Sequence, residues 1–257
     1  MRKIRKTKKM KRMEKTRKMK KAKNTARKTK KSKIKPIIIV NFKTYKQSTG
    51  KNALKLAKIH QRVARKTHAK IMVAVQNADV YPISHTVSIP VLAQHADPVE
   101  YGKNTGKDLP ECLKDNGAWG CIINHSEDRM PHQDIKNTII RCKEAGLKTV
   151  VCAESISKAF EILKLGPDYI AFEDPNLIGT LKSVSKLEPD SVKRFATMVE
   201  QVNKGRKKKT IPLCGAGIAN SNDVVGAVEL GTKGVLVATA IVKSHHPARA
   251  LKSFVGK

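Results

Sequence analysis

The chain has 257 residues, of which 40% are hydrophobic, and it carries a formal net charge of +32. It lacks both a run of about 18 apolar residues, which a transmembrane helix needs, and the apolar segment of a secretory signal. Its five cysteines form no CxxC or other metal pair and are odd in number, so they predict small core residues of a cytoplasmic protein rather than disulfides.

The charge is concentrated at the N-terminus. Residues 1–35 hold 20 lysines and arginines and one acidic residue, Glu14, whereas the rest of the chain holds 33 basic and 20 acidic residues. Because residues 1–33 are of low complexity, strongly self-repelling and poor in apolar side chains, we predict a disordered basic tail. Such a tail attracts RNA or DNA phosphates without reading sequence, since it has no aromatic residue to stack on bases. A solvated tail without a dedicated partner is the alternative.

From residue 34 onward, apolar runs alternate with segments of helical periodicity. The first run, 36–43, is apolar until its polar end, as is typical of a strand buried on both faces of a parallel sheet. Seven further strands are predicted, at 71–75, 90–95, 119–124, 148–153, 169–172, 210–214 and 234–238. The predicted helices lie at about 50–66, 131–145, 155–165, 188–203, 220–230 and 246–255, and a further one starts near Pro110.

Eight buried strands alternating with helices predict an α/β protein, a (β/α)8 barrel over residues 34–257. A doubly wound open sheet is the alternative fold. No GxGxxG motif follows the first strand, which disfavours that alternative.

One carboxylate, Glu173, stands at the end of the sixth predicted strand. It is followed by the segment 174–180, which contains Pro175, Asn176 and Gly179 and predicts a loop with possible hinges. A carboxylate at a strand end beneath a loop that can close is suited to act as a general base under a lid. An Asp-Pro turn after an ordinary strand is the alternative.

Function in a (β/α)8 barrel gathers where the strands end. Besides Glu173, the strand ends carry Asn41, Lys43, His125, Glu127, Gly215, Gly217, Ala238 and Thr239. Lys43 supplies fixed positive charge, and the glycines expose backbone N–H groups that, with a short helix near them, suit a phosphate. His125 can donate a hydrogen bond to a carbonyl while Glu173 removes a proton beside it. Taken one by one, these residues also suit a surface lysine, a half-buried histidine and a tight turn. Together they predict proton transfer next to a carbonyl on a small phosphate ester.

The segments NFKTY, AQH, NHSE, NLIG, VSK and CGAGI, in this order, resemble the triosephosphate isomerase family, and its archaeal branch especially. The resemblance covers residues 36–257 and none of the tail. It implies a TIM barrel that interconverts glyceraldehyde 3-phosphate and dihydroxyacetone phosphate in glycolysis and gluconeogenesis. It also implies that no metal or organic cofactor takes part, because the carbonyl itself makes the proton acidic.

The resemblance also implies a role for each matching residue. Asn41 and Lys43 bind substrate, His125 polarises the carbonyl and Glu173 shuttles the proton. The other implied members are Glu127 behind the site, Ile178 and Gly179 in the lid, and Gly217, Ala238 and Thr239 as phosphate-binding backbone groups.

The lid departs from the family pattern. Leu181 stands where a Gly-Thr-Gly lid has its second glycine, and Asp174 and Asn176 replace residues of a Glu-Pro-Pro-Glu start. Since glycine adopts positive φ freely, we expect a stiffer hinge and slower turnover.

Two further segments concern partners. The loop 102–106 resembles the family's subunit-contact loop, which implies a homodimer or homotetramer. Residues 204–209 place a basic cluster before the seventh strand, at the barrel end opposite the site, where it is expected to extend a polyanion-binding surface.

Two alternative functions remain: a different phosphate-binding barrel isomerase or lyase, and a nucleic-acid-associated protein built on a barrel of weakened activity.

Overall fold

The computed structural model describes residues 35–173 and 189–255. Its eight parallel strands close into one barrel in chain order. They are β1 (Ile37–Asn41), β2 (Lys70–Val75), β3 (Val91–Ala93), β4 (Gly120–Ile123), β5 (Lys148–Ala153), β6 (Tyr169–Phe172), β7 (Ile211–Cys214) and β8 (Gly234–Val237). The predicted tail and the lid residues Ile178, Gly179 and Leu181 lie outside the described residues.

Nine α-helices occur within the described ranges. They are α1 (Lys51–Thr67), α2 (Val80–Ser84), α3 (Pro110–Asp115), α4 (His132–Glu144), α5 (Ile156–Lys164), α6 (Pro189–Asn203), α7 (Ser221–Glu229), α8 (Thr239–Val242) and α9 (Pro247–Phe254). None of the helices in this part of the chain combines the length and the apolar character needed to cross a membrane.

The strands are apolar throughout because both of their faces are covered. In β1, Ile37 and Ile39 belong to the cluster that fills the barrel, whereas Ile38 and Val40 pack outward in the cluster shared with the helices. This alternation follows from the two-residue period of a strand. Because all eight strands run parallel, the residues just after each strand gather at one end of the barrel.

The predicted (β/α)8 barrel is confirmed, and the open-sheet alternative is wrong. Closure is direct, since Ile37 at the start of β1 is aligned with Gly234 at the start of β8. The third strand is shorter than the predicted 90–95. It begins after Pro90, which has no N–H to donate, and it ends before Gln94, whose side chain turns toward the end of β1.

Candidate active site

A cavity of about 230 Å³ opens at the C-terminal ends of the strands. Predicted site residues that line it are Asn41, Lys43, His125, Glu173, Gly215, Gly217, Ala238 and Thr239. Further lining residues are Ser126, Ala216, Ile218, Leu236, Val237 and Ala240. The structure therefore brings together side chains from β1, β4 and β6 and backbone from the loops after β7 and β8.

Glu173 follows β6 directly and is only 2% exposed. A buried carboxylate needs partners, and this one has three. Its Oε2 accepts a hydrogen bond from the backbone N–H of Ser126 at 2.9 Å and lies 3.9 Å from a guanidinium nitrogen of Arg129. Its Oε1 lies 3.3 Å from Nε2 of His125. The carboxylate is thus held at the cavity wall, directly against the histidine.

The His125 ring is oriented by the backbone that follows it. The N–H of Glu127 donates to Nδ1 of His125 at 3.2 Å, which requires Nδ1 to be the acceptor. In the neutral ring the proton then resides on Nε2, the nitrogen that faces Glu173. The geometry therefore presents an N–H donor to the cavity.

Lys43 is positioned by a tight turn after β1. Its backbone has φ of 49°, in the left-handed region, and its N–H donates to Oδ1 of Asn41 at 2.9 Å. Nζ lies 2.6 Å from Oε1 of Glu127, which does not line the cavity itself. Lys43 and Glu127 therefore form an ion pair at the edge of the cavity, next to His125.

The two glycines after β7 differ in what their backbone can do. The sequence led us to expect that the N–H of Gly215 is available to a phosphate. In the structure this N–H donates to the carbonyl of Phe172 at 2.8 Å and is not available. Gly217 has φ of 67°, and no hydrogen bond within the described residues uses its N–H. The short α8 follows β8, and its first residues, Thr239 and Ala240, line the same cavity. Since the first turn of a helix leaves N–H groups unpaired, the open donors come from Gly217 and the start of α8.

Three contacts of the site were missed in the sequence. The Nε2 amide of Gln94 donates to Oδ1 of Asn41 at 3.1 Å and to the carbonyl of Lys43 at 3.1 Å, which fixes the turn after β1. Gln94 follows β3, so the strand-end rule applied to the third strand would have found it. The backbone contact of Ser126 with Glu173 carries no side-chain signal and could not be found from the sequence.

Arg129 is the third missed residue. Its Nη1 donates to the carbonyl of Asn124 at 2.9 Å and lies 3.2 Å from Glu154, and its Nη2 faces Glu173. It links the ends of β4, β5 and β6 through one guanidinium group.

Cys152 contributes no charge to the site. Burial first, and then the charge of the Glu173 carboxylate, raise the pKa of the Cys152 thiol, so this cysteine stays neutral beside Glu173.

The family model for triosephosphate isomerase matches residues 36–254. The chain belongs to this family. The triosephosphate isomerase of Methanobacterium bryantii is 45% identical over 88% of this chain and 98% of its own length. That of Methanothermobacter thermautotrophicus is 44% identical over 88% of this chain and 96% of its own, and that of Methanocaldococcus jannaschii is 42% identical over 85% and 98%. The predicted archaeal affinity is thereby confirmed.

A solved structure supports the fold separately. The crystal structure of triosephosphate isomerase from Bartonella henselae superposes with a TM-score of 0.65 over 81% of this chain and 94% of that chain. At 18% identity this similarity is evidence for the barrel alone.

Proposed function

We propose that this chain catalyses the interconversion of glyceraldehyde 3-phosphate and dihydroxyacetone phosphate, with Glu173 as the base. The observation that carries the proposal is the pair formed by a buried Glu173 and the Nε2–H of His125, 3.3 Å apart at the wall of one cavity. A carboxylate that removes a proton beside a carbonyl needs a donor on the carbonyl oxygen at nearly the same place, and this pair provides both.

The proposed reaction moves one proton between two neighbouring carbons and one between their oxygens. Glu173 takes the proton from the carbon next to the carbonyl, and the Nε2–H of His125 protonates the carbonyl oxygen on which negative charge develops. His125 recovers a proton from the neighbouring hydroxyl, whose oxygen becomes the new carbonyl oxygen. Glu173, now protonated, returns its proton to the former carbonyl carbon. The ammonium group of Lys43 stabilises the anionic substrate and the charged intermediate. Ser126 holds Oε2 of Glu173 through its backbone N–H, which leaves Oε1, on the His125 side, to take the proton.

The phosphate is proposed to lie on the β7–β8 side of the cavity, against Gly217 and the start of α8. Thr239 is held there by Tyr45, whose hydroxyl lies 3.0 Å from Oγ1 of Thr239. The ammonium group of Lys243 lies 4.3 Å from the centre of the Tyr45 ring, which adds positive charge near this side. The lid roles of Ile178 and Gly179, and slower turnover through Leu181, remain predictions.

Replacement of the base tests the proposal. We expect Glu173→Gln to lower kcat by about 10²–10⁴-fold, because the amide cannot accept the proton, with little change in KM. Glu161→Gln, a neutralised carboxylate on the surface of α5, serves as the matched control and should retain full activity. Retention of more than a tenth of kcat in Glu173→Gln would refute the role of this base. Turnover of other phosphorylated aldoses in preference to triose phosphates would instead favour a different barrel isomerase.

Several partner and location proposals accompany the activity. We propose a homodimer or homotetramer that uses the loop 102–106, and the side chain of Tyr101 beside it is 73% exposed. We propose that residues 34–257 form the catalytic body in the cytoplasm. Contact between residues 1–33 and RNA or DNA remains a prediction from their composition.

A further inference from the structure

Lysines cluster at the barrel end opposite the cavity, where the strands begin. β2 and β5 each start with a lysine, and lysines stand one to three residues before β1, β7 and β8. We call these residues the basic rim: Lys35, Lys70, Lys148, Lys208, Lys209 and Lys233. The sequence predicted residues 204–209 at this end of the barrel, and the fold adds Lys35, Lys70, Lys148 and Lys233 from other strands.

The lysines of the rim lie on neighbouring strands. β7, β8, β1 and β2 are consecutive around the barrel. Ile37 of β1 is aligned with both Lys70 and Gly234, so β8, β1 and β2 start level. β5 joins the same arc through β6. Because neighbouring strands lie about 4.8 Å apart, an arc of six strands extends over roughly 24 Å. Five of these six strands carry a lysine at or just before their first residue, and β6, preceded by Asp168, is the exception.

Asp168, which precedes β6, draws two members of the rim together. Its Oδ1 lies 3.0 Å from Nζ of Lys148 and 3.0 Å from Nζ of Lys208. Burial opposes its charge, yet hydrogen bonds from Lys208 and Lys148 hold the pKa of this carboxyl below its usual value. One ionised carboxylate therefore faces two ammonium groups and leaves an excess of positive charge.

The pKa of a nearby lysine, Lys143, indicates the same excess of positive charge. The pKa of Lys143 is lowered by burial and then by the like charges of Lys208 and Arg206, with only Asp168 acting in the opposite direction. Cations that destabilise one another in this way gain from a bound anion. Lys207 and Lys209, on either side of Lys208, are exposed and can reach such an anion.

Helix dipoles do not account for the rim. Cations are favoured at helix C-termini, and Lys66, Lys114 and Lys143 lie in such last turns. Lys208, Lys209 and Lys233, however, belong to the connections that precede β7 and β8 and lie beyond the last turns of α6 and α7. Their charge is therefore in excess of what the helices require.

We propose that the basic rim binds the phosphate backbone of nucleic acids without reading their sequence. Lysine ammonium groups act as point charges toward phosphates, and a row of them suits a regularly spaced polyanion better than a single small anion. The cavity opens at the other end of the barrel, so a bound nucleic acid leaves it accessible. This inference concerns the barrel itself and does not depend on the proposed isomerase activity.

The test measures binding of the full chain to duplexes of mixed sequence, one DNA and one RNA, each about 20 base pairs long, by fluorescence anisotropy over a series of KCl concentrations. Two rim variants change only exposed side chains: Lys70→Glu/Lys233→Glu, and Lys207→Glu/Lys209→Glu, which also replaces the lysine that precedes Lys208 of the rim. The matched control, Lys136→Glu/Lys193→Glu, makes the same change in net charge on exposed positions of α4 and α6.

Each rim variant is expected to bind duplex at least about tenfold more weakly near 0.1 M salt, with the slope of log K against log salt reduced by about 2. The control is expected to remain close to the unmodified protein. Equal losses in rim and control variants would overturn the proposal and assign binding to net charge or to residues 1–34. Displacement of the duplex by polyglutamate at matched charge would overturn it in favour of acidic proteins. Isomerase kinetics, unchanged in the rim variants and with duplex bound, serve as the folding control.

Discussion

Gly215 leaves no room for a side chain beside Glu173. A Cβ atom added at this glycine would lie 2.8 Å from Cγ of Glu173 and 3.1 Å from the carbonyl oxygen of Phe172. Carbon atoms pack favourably at about 3.5–4.0 Å, so Gly215→Ala forces the glutamate to retreat by roughly 1 Å. The carbonyl belongs to the barrel backbone and cannot yield as easily. The substitution therefore displaces the carboxylate of the proposed base.

A displacement of about 1 Å in a reacting group lowers the rate by roughly 10²-fold, or about 2.7 kcal/mol in the activation barrier. We expect this loss in kcat for Gly215→Ala, measured with both triose phosphates, while KM changes little. Gly205→Ala, at the opposite barrel end, is the control for strain: its added Cβ meets no atom within 4 Å, but its φ of 81° disfavours any side chain, so it is expected to lose stability and keep its kcat. Thermal unfolding of both variants separates misfolding from misplacement. A kcat within threefold of the unmodified chain would refute the reasoning that Gly215 positions Glu173.

Two further predictions concern buried titratable groups. Burial lowers the pKa of His60 from 6.5 to about 4, so the unfolded chain takes up this proton first as the pH falls. We therefore expect His60 to lower the free energy of unfolding by about 3 kcal/mol between pH 7 and pH 4. Urea unfolding of His60→Leu should lack this part of the pH dependence. If the free energies of unfolding of the variant and the unmodified chain change in parallel with pH, the prediction is contradicted. Of the five cysteines only Cys112 is exposed, and burial raises the pKa of Cys214 to about 12. A thiol reagent at pH 8 should thus modify one cysteine in the folded protein and five in denaturant; rapid modification of further thiols in the folded protein would contradict it.

The sequence predicted the barrel well because parallel strands buried on both faces leave continuous apolar runs. β5 and β6 have the predicted bounds, and most other strands differ by a residue at an end. The predicted ends of β3 were wrong, because the run 90–95 starts with Pro90 and ends in polar residues that lie outside the observed strand, Val91–Ala93. The sequence also predicted correctly that four side chains meet in one site: Asn41, Lys43, His125 and Glu173. This followed from the single rule that the C-terminal ends of all barrel strands lie at the same end of the barrel.

The connections within the site were harder to predict because they depend on three-dimensional distances. Nothing in the sequence around Gly215 indicates that its N–H is occupied by Phe172 or that its missing side chain accommodates Glu173. Arg129 reads as an ordinary loop arginine until β4, β5 and β6 are placed side by side. The basic rim is a similar case, since only closure of the barrel brings β7, β8, β1 and β2 together.

The barrel is not bonded equally around its circumference. β1 and β2 are aligned over five residue pairs, and β4 with β5 and β5 with β6 over four pairs each, whereas β7 and β8 are aligned only at Cys214 and Val235. Local opening requires least where the fewest bonds have to break. The β7–β8 junction is thus the weakest seam of the barrel, followed by the β3–β4 junction with two aligned pairs. Because the β7–β8 seam borders the proposed phosphate position, this edge of the cavity can adjust as the anion enters and leaves, while the longer pairing of β4 with β5 and of β5 with β6 keeps His125 and Glu173 at a fixed distance.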